Sequence, residues 1–154
     1  GAKEIDALNQ VIYYGIKSAF LITLIASTFV YFFAEIFSSL FTKDQEIINV
    51  SVGFLKSLCL VYPLVAIAIT SGRVMQGLGK GLPVLIITIV RVIGISAPLA
   101  IYFSVFLNKP VEWNWYAMMI GAVTAFLIAI NWMRVELKKV NNFKDENLEP
   151  IIQE

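Results

Sequence analysis

The stretch YAMMIGAVTAFLIAINWM, Tyr116–Met133, carries no charged residue over its whole length. About 20 mostly apolar residues suffice, as α-helix, to cross the hydrocarbon core of a bilayer. This stretch therefore reads as a transmembrane helix, and three other runs read the same way. Val11–Phe33 has Lys17, near its start, as its only charge. Ser57–Gly72 gains length from Val50–Leu55 once Lys56 extends its ammonium toward the headgroups. Leu82–Leu107 is interrupted by Arg91 alone. None of the four alternates with the period of two that marks barrel strands. Composition agrees: 58% of the 154 residues are apolar and 15% charged, where soluble domains run at about half and a quarter, and the mean hydropathy is +0.78. The fold class expected is all-α integral membrane, with four transmembrane helices and the lipid bilayer as solvent.

Basic residues orient the helices, because Lys and Arg accumulate on cytoplasmic flanks. Of the 12 Lys and Arg, eight fall on one side: Lys3, Lys17, Arg73, Lys80, Arg134, Lys138, Lys139 and Lys144. Lys43, Lys56 and Lys109 fall on the other, with Arg91 inside a span. Both ends of the chain are thus expected to be cytoplasmic, in the plasma (inner) membrane. Residues 1–139 form the four-helix transmembrane region, and residues 140–154 a polar cytoplasmic tail, loosely ordered from Asn141. Connections are punctuated by Thr42 and Gln45, which have the spacing of a capping box. Gly77, Gly79 and Gly81 then precede Pro83, which suits a first helical turn, and Asn108-Lys109-Pro110 closes the third run.

There is no histidine and one cysteine, Cys59. Histidine-based triads, His/Cys zinc sites and a disulfide within the chain are excluded. A net charge of +1 and the apolar runs leave no case for a nucleic-acid partner. No nucleophile, base or metal cluster sits inside the spans, so neither an enzyme nor a cofactor is expected. All 11 acids also lie outside the apolar cores, Glu35 at the outer end of the first being the nearest. Ion coupling in secondary transporters needs a coordinating or ionisable group at membrane depth, and this chain offers none.

What the spans do carry is specific. Gly15, Ala19, Thr23 and Ser27 recur every four residues in the first, as Gly121, Ala125 and Ala129 do in the fourth. Such stripes let helix backbones approach closely in lipid. The face of the first span opposite its stripe holds bulky Phe20, Leu24 and Tyr31, suited to lipid or to a hydrophobic cavity. Pro63 and Pro98 each remove a backbone donor, freeing the carbonyls of Cys59 and Gly94. The outcome is either a static kink, the loose carbonyl satisfied by a neighbour such as Ser96 or Thr70, or a hinge that bends during transport. Arg91 lies nine residues into its run, either reaching for headgroups or lining a polar cavity. Tyr62, Thr70, Arg91 and Ser96 are the candidate cavity residues.

Several motifs occur in a telling order. Gly1-Ala2, a short polar run and Tyr14-Gly15 come first, then Leu40-Phe41-Thr42-Lys43-Asp44, then Ser71-Gly72 through Gln76-Gly77-Leu78-Gly79-Lys80, then Pro98-Leu99-Ala100. Together they resemble the C-terminal third of a multidrug and toxic compound extrusion (MATE) transporter, over Gly1 to Lys139. The resemblance implies helices nine to twelve of a twelve-helix, two-bundle antiporter, and a chain that is a fragment lacking its N-terminal transmembrane helices. It implies export of amphipathic, cationic small molecules by alternating access, in exchange for H+ or Na+. Gln76 stands where the family more often has arginine. The region matching a coupling acid in some members, Leu64 to Ala68, is apolar, so the coupling ion is expected to bind elsewhere. Two alternatives stay open: a lipid-linked oligosaccharide flippase of the same superfamily, and a non-transporting four-helix membrane subunit.

Overall fold

A computed structural model describes residues 2–152, and the side chains of residues 7–142. Helix α1 spans Ala2–Ser39 and α2 spans Gln45–Gly77. The third span begins as α3, Leu82–Ile89, widens to a π-helix over Val90–Ser96, and returns to α4, Ala97–Ile101. It ends in a second π segment, Tyr102–Phe106. Helix α5 runs Glu112–Ile152. Four helices, Ala7–Ser39, Gln45–Gly77, Leu82–Phe106 and Glu112–Asn142, are long and apolar enough to cross a membrane. Three of them contain the runs expected and extend beyond their ends, while the third starts at Leu82 as expected and stops at Phe106, one residue short of the run. The stretch expected as a loose tail instead continues α5 as far as Ile152. No glycine or proline stands between Gly121 and Pro150 to stop it.

The caps show how the turns are set. At the start of α2 the N-cap is Asp44, whose Oδ1 accepts from the backbone N–H of Glu46 (2.9 Å) and Ile47 (3.4 Å). The expected Thr42–Gln45 box does not form. Thr42 Oγ1 accepts from Asp44 N–H at 3.2 Å, while Gln45 Nε2 donates to Asn49 Oδ1. Asp44→Ala should therefore cost about 1 kcal/mol of stability, read as a lowered thermal midpoint in detergent, and Thr42→Ala distinctly less. At the other end of α2, Lys80 N–H donates to Met75 O (2.8 Å) and Gly79 N–H to Gln76 O (2.9 Å). This Schellman closure needs a left-handed residue, and Gly79 supplies it at φ +76°. Pro83 then falls in the first turn of α3, as expected.

The π register of the third span ends at its proline. Ala97 N–H donates to Val92 O, five residues back, and the next residue, Pro98, has no N–H to offer. The same i+5 register closes the span, with Leu107 N–H on Tyr102 O at 3.2 Å. Asn108 follows at φ +43°, a conformation asparagine tolerates better than most residues.

Helices α1 and α2 pack as a hairpin, and α2 packs its other side on α5. The third span leans mainly on α5. A core of Ile12, Met75, Ile87, Ala125, Ala129 and Met133 sits where the first part of α1, the α2–α3 turn and the middle of α5 meet. There Asn9 Nδ2 also donates to Asn141 Oδ1 at 3.2 Å. The α5 stripe is buried as read: Gly121, Ala125 and Ala129, with Ala117 and Ala122 beside them. A Cβ on Gly121 would overlap Ser96 Oγ and lie 3.2 Å from the Arg91 carbonyl, so the third and fourth spans touch backbone to backbone here.

The α1 stripe fares differently. Gly15 is exposed, with nothing within 4 Å of a Cβ, and Ala19 and Thr23 are half-buried. The buried face of α1 is Ile12, Ser27, Ala34 and Ser38. Of the bulky residues on α1, Leu24 and Tyr31 are exposed and Phe20 half-buried. The close approach at the far end of α2 is made by Gly53, where the Trp115 ring lies 2.8 Å from a Cβ position.

Candidate substrate cavity at Arg91

Three of the four candidate cavity residues converge. Tyr62 from α2, with Arg91 and Ser96 from the first π segment, line one cavity of about 330 Å³, closed on the α5 side by Met118 and Ala122. The π register matters here, because it brings the Arg91 carbonyl and the Ser96 side chain onto Gly121. Away from Arg91, Tyr62 and Ser96, the wall is aliphatic: Leu58, Val61, Val65 and Val92. Apolar surface of this kind holds amphipathic molecules by area burial, at about 25 cal/mol per Å², and sparse polar groups set their orientation.

Arg91 itself is half-buried. Among the described residues it is in no ion pair. It also lines a second cavity, of about 340 Å³, on the side of the α2–α3 turn. Arg91 thus borders two spaces.

Thr70 lines neither cavity. Its Oγ1 donates to Ala66 O at 2.8 Å, the turn behind it. Thr23, Thr28, Thr88 and Thr124 do the same to the carbonyls four residues back, the usual refuge of a hydroxyl in an apolar helix. The freed carbonyls are accordingly not relieved by Thr70. Ser27 lines a cleft of about 270 Å³ with Pro63 and Cys59, and among the described residues its hydroxyl has no hydrogen-bond partner. Pro63 is buried within an unbroken α2, whereas Pro98 lies between two π segments. Only Pro98 marks a break in register.

Of the acids, Glu35 is exposed on α1. Glu136, largely buried on α5, is paired with Lys139 Nζ at 3.0 Å. Neither lines either cavity at Arg91. Sequence reasoning did not find Met118 and Ala122 as cavity residues. The signal was present, since both continue the α5 face that carries Gly121 and Ala125.

The MatE family model matches residues 1–102 of the 154. The chain belongs to the MatE family. MatE proteins are helical membrane transporters rather than catalysts, which agrees with the four membrane-length helices. No curated protein and no solved structure matches the chain. The MatE match takes in α1, α2 and the third span as far as Tyr102. It includes the Leu40–Asp44 and Gln76–Lys80 turns, Pro98-Leu99-Ala100, and the Tyr62, Arg91 and Ser96 wall of the cavity. Helix α5, which completes that wall, lies beyond the match.

Proposed function

We propose that this MatE chain is the C-terminal part of a cation-coupled antiporter that exports amphipathic compounds by alternating access. The observation that carries the reading is the convergence of Tyr62, Arg91 and Ser96 on one largely apolar cavity within the spans. Pro98, flanked by two π segments, is the hinge candidate, since i+5 turns and prolines are where helices bend; Pro63, in a regular α2, is the weaker one. The eight basic residues on one side against three on the other support cytoplasmic termini in a plasma membrane.

The described spans supply a guanidinium and no acid to this cavity. A cationic substrate and the coupling H+ or Na+ therefore need carboxylates from other transmembrane helices of the same protein. An arginine without an acid also suits an anionic headgroup, and this favours the oligosaccharide flippase as second reading.

The test is flux. The native polypeptide containing this chain, reconstituted in proteoliposomes, is expected to move a cationic amphipathic dye against an inward H+ or Na+ gradient. The chain alone should not. Dye flux indifferent to both gradients would overturn the antiporter. Flipping of a pyrophosphate-linked lipid in its place would install the flippase.

A further inference from the structure

The second cavity at Arg91 has its own chemistry. It lies between α2, the third span and α5, and its polar lining consists of Arg73, Gln76, Thr88 and Arg91. Thr88 Oγ1 is already committed to Val84 O at 2.9 Å. Gln76 Oε1 accepts from Arg73 Nη1 at 3.0 Å, which steadies that guanidinium beside the opening. No carboxylate lines the space. Among the described residues neither arginine is in an ion pair.

Two arginines line a space of about 340 Å³, and like charges sharing such a space interact more strongly as water gives way to hydrocarbon. A cation this deep in a membrane normally pairs with an anion. Arginine forks match the oxygens of a phosphate best, donating two parallel N–H bonds. Position narrows the choice. Arg73 stands four residues before the end of α2, about 6 Å at 1.5 Å per residue, and Arg91 nine residues into the third span, about 13 Å. The pair therefore runs inward from the headgroup level. At its rim Ile69 is 56% exposed, continuing into the apolar surface that acyl chains cover.

We infer that the Arg73–Arg91 cleft binds a phosphate group, held as the phosphodiester of an anionic phospholipid lodged between the second and third spans. Basic pockets between transmembrane helices take lipid headgroups in this way. Free inorganic phosphate offers the same oxygens without the chains. The site does not depend on which compound is exported.

The experiment is native mass spectrometry of the intact, detergent-solubilised protein, equilibrated with equal amounts of phosphatidylglycerol and phosphatidylcholine. Arg73 is exposed, so Arg73→Gln leaves the packing in place; Arg91→Gln is the second variant. Wild type should retain one phosphatidylglycerol preferentially. Each variant should weaken that retention about fivefold, and millimolar inorganic phosphate should not displace the lipid. If no lipid is preferred, but inorganic phosphate raises the thermal midpoint of wild type and not of Arg73→Gln, the cleft is a phosphate site fed from solution. Equal retention of the two lipids with no phosphate stabilisation would overturn the inference. So would a phosphatidylglycerol preference that survives in both variants.

Discussion

Gly121→Val is expected to destabilise the bundle by about 3 kcal/mol or more, judged from the cost of overpacking a close contact. A Cβ at this position would overlap Ser96 Oγ, lie 3.4 Å from Ser96 Cβ and 3.2 Å from the Arg91 carbonyl oxygen. The hydroxyl can rotate away, but the carbonyl belongs to the π-helical backbone and cannot move without the third span. Valine adds two methyls beyond Cβ and has little rotamer freedom in a helix, so α5 and the third span must separate. Thermal unfolding in detergent reads the loss directly. Adding Ser96→Ala should recover only part of it, because the Arg91 carbonyl stays. Gly15→Ala is the contrast: nothing lies within 4 Å of that Cβ, and replacing a mid-helix glycine should be neutral or stabilising, by up to about 1 kcal/mol. If both glycine variants unfolded alike, the backbone contact at Gly121 would be wrong.

That contrast also shows where reading a membrane sequence stops. The four spans were legible because the bilayer imposes a one-dimensional requirement, length and apolarity, and Tyr116–Met133 meets it without any knowledge of neighbours. Whether a stripe of small residues is a contact is a three-dimensional matter. Gly15 and Gly121 head stripes of the same period, yet of the two glycines only Gly121 meets another helix among the described residues. Helix ends were illegible for a related reason. Apolarity stops at the membrane surface, whereas helical hydrogen bonding continues, as in α5 beyond Asn141. At the α2 cap, Thr42 and Asp44 are both good acceptors two residues apart. The extended conformation of Asp44, φ −74° and ψ 116°, decides between them.

The candidate site was legible to the same degree. Rare polar residues in apolar runs pointed to Tyr62, Arg91 and Ser96, because a buried polar side chain needs a reason to be there. The same logic failed for Thr70, which has its reason within its own helix, in the carbonyl of Ala66. It passed over Met118 and Ala122, which line the cavity by their place on the α5 face rather than by polar chemistry. Nor could it show the π register. Pro98 announced a missing donor, but the wide turns on both sides of it emerge only in the folded span.

Ala122, the immediate neighbour of Gly121, should respond in the opposite way. Gly121 meets backbone, whereas Ala122 borders the cavity of about 330 Å³ shared with Tyr62, Arg91 and Ser96. Ala122→Phe places a ring in that space, where it adds apolar contact without demanding that a helix move. The thermal midpoint should stay within a few degrees, equivalent to about 1 kcal/mol at most. Transport should fall about tenfold or more, the loss expected when roughly 1.4 kcal/mol of substrate binding is displaced. Ala129→Phe is the informative control. Ala129 is 1% exposed in the packed core with Ile12 and Met133, so a ring there should destabilise the protein rather than silence it selectively. A folded Ala122→Phe protein that exports at the wild-type rate would take this cavity out of the transport path. Loss of transport with the fold intact would place the substrate against the wall that Tyr62, Arg91 and Ser96 share.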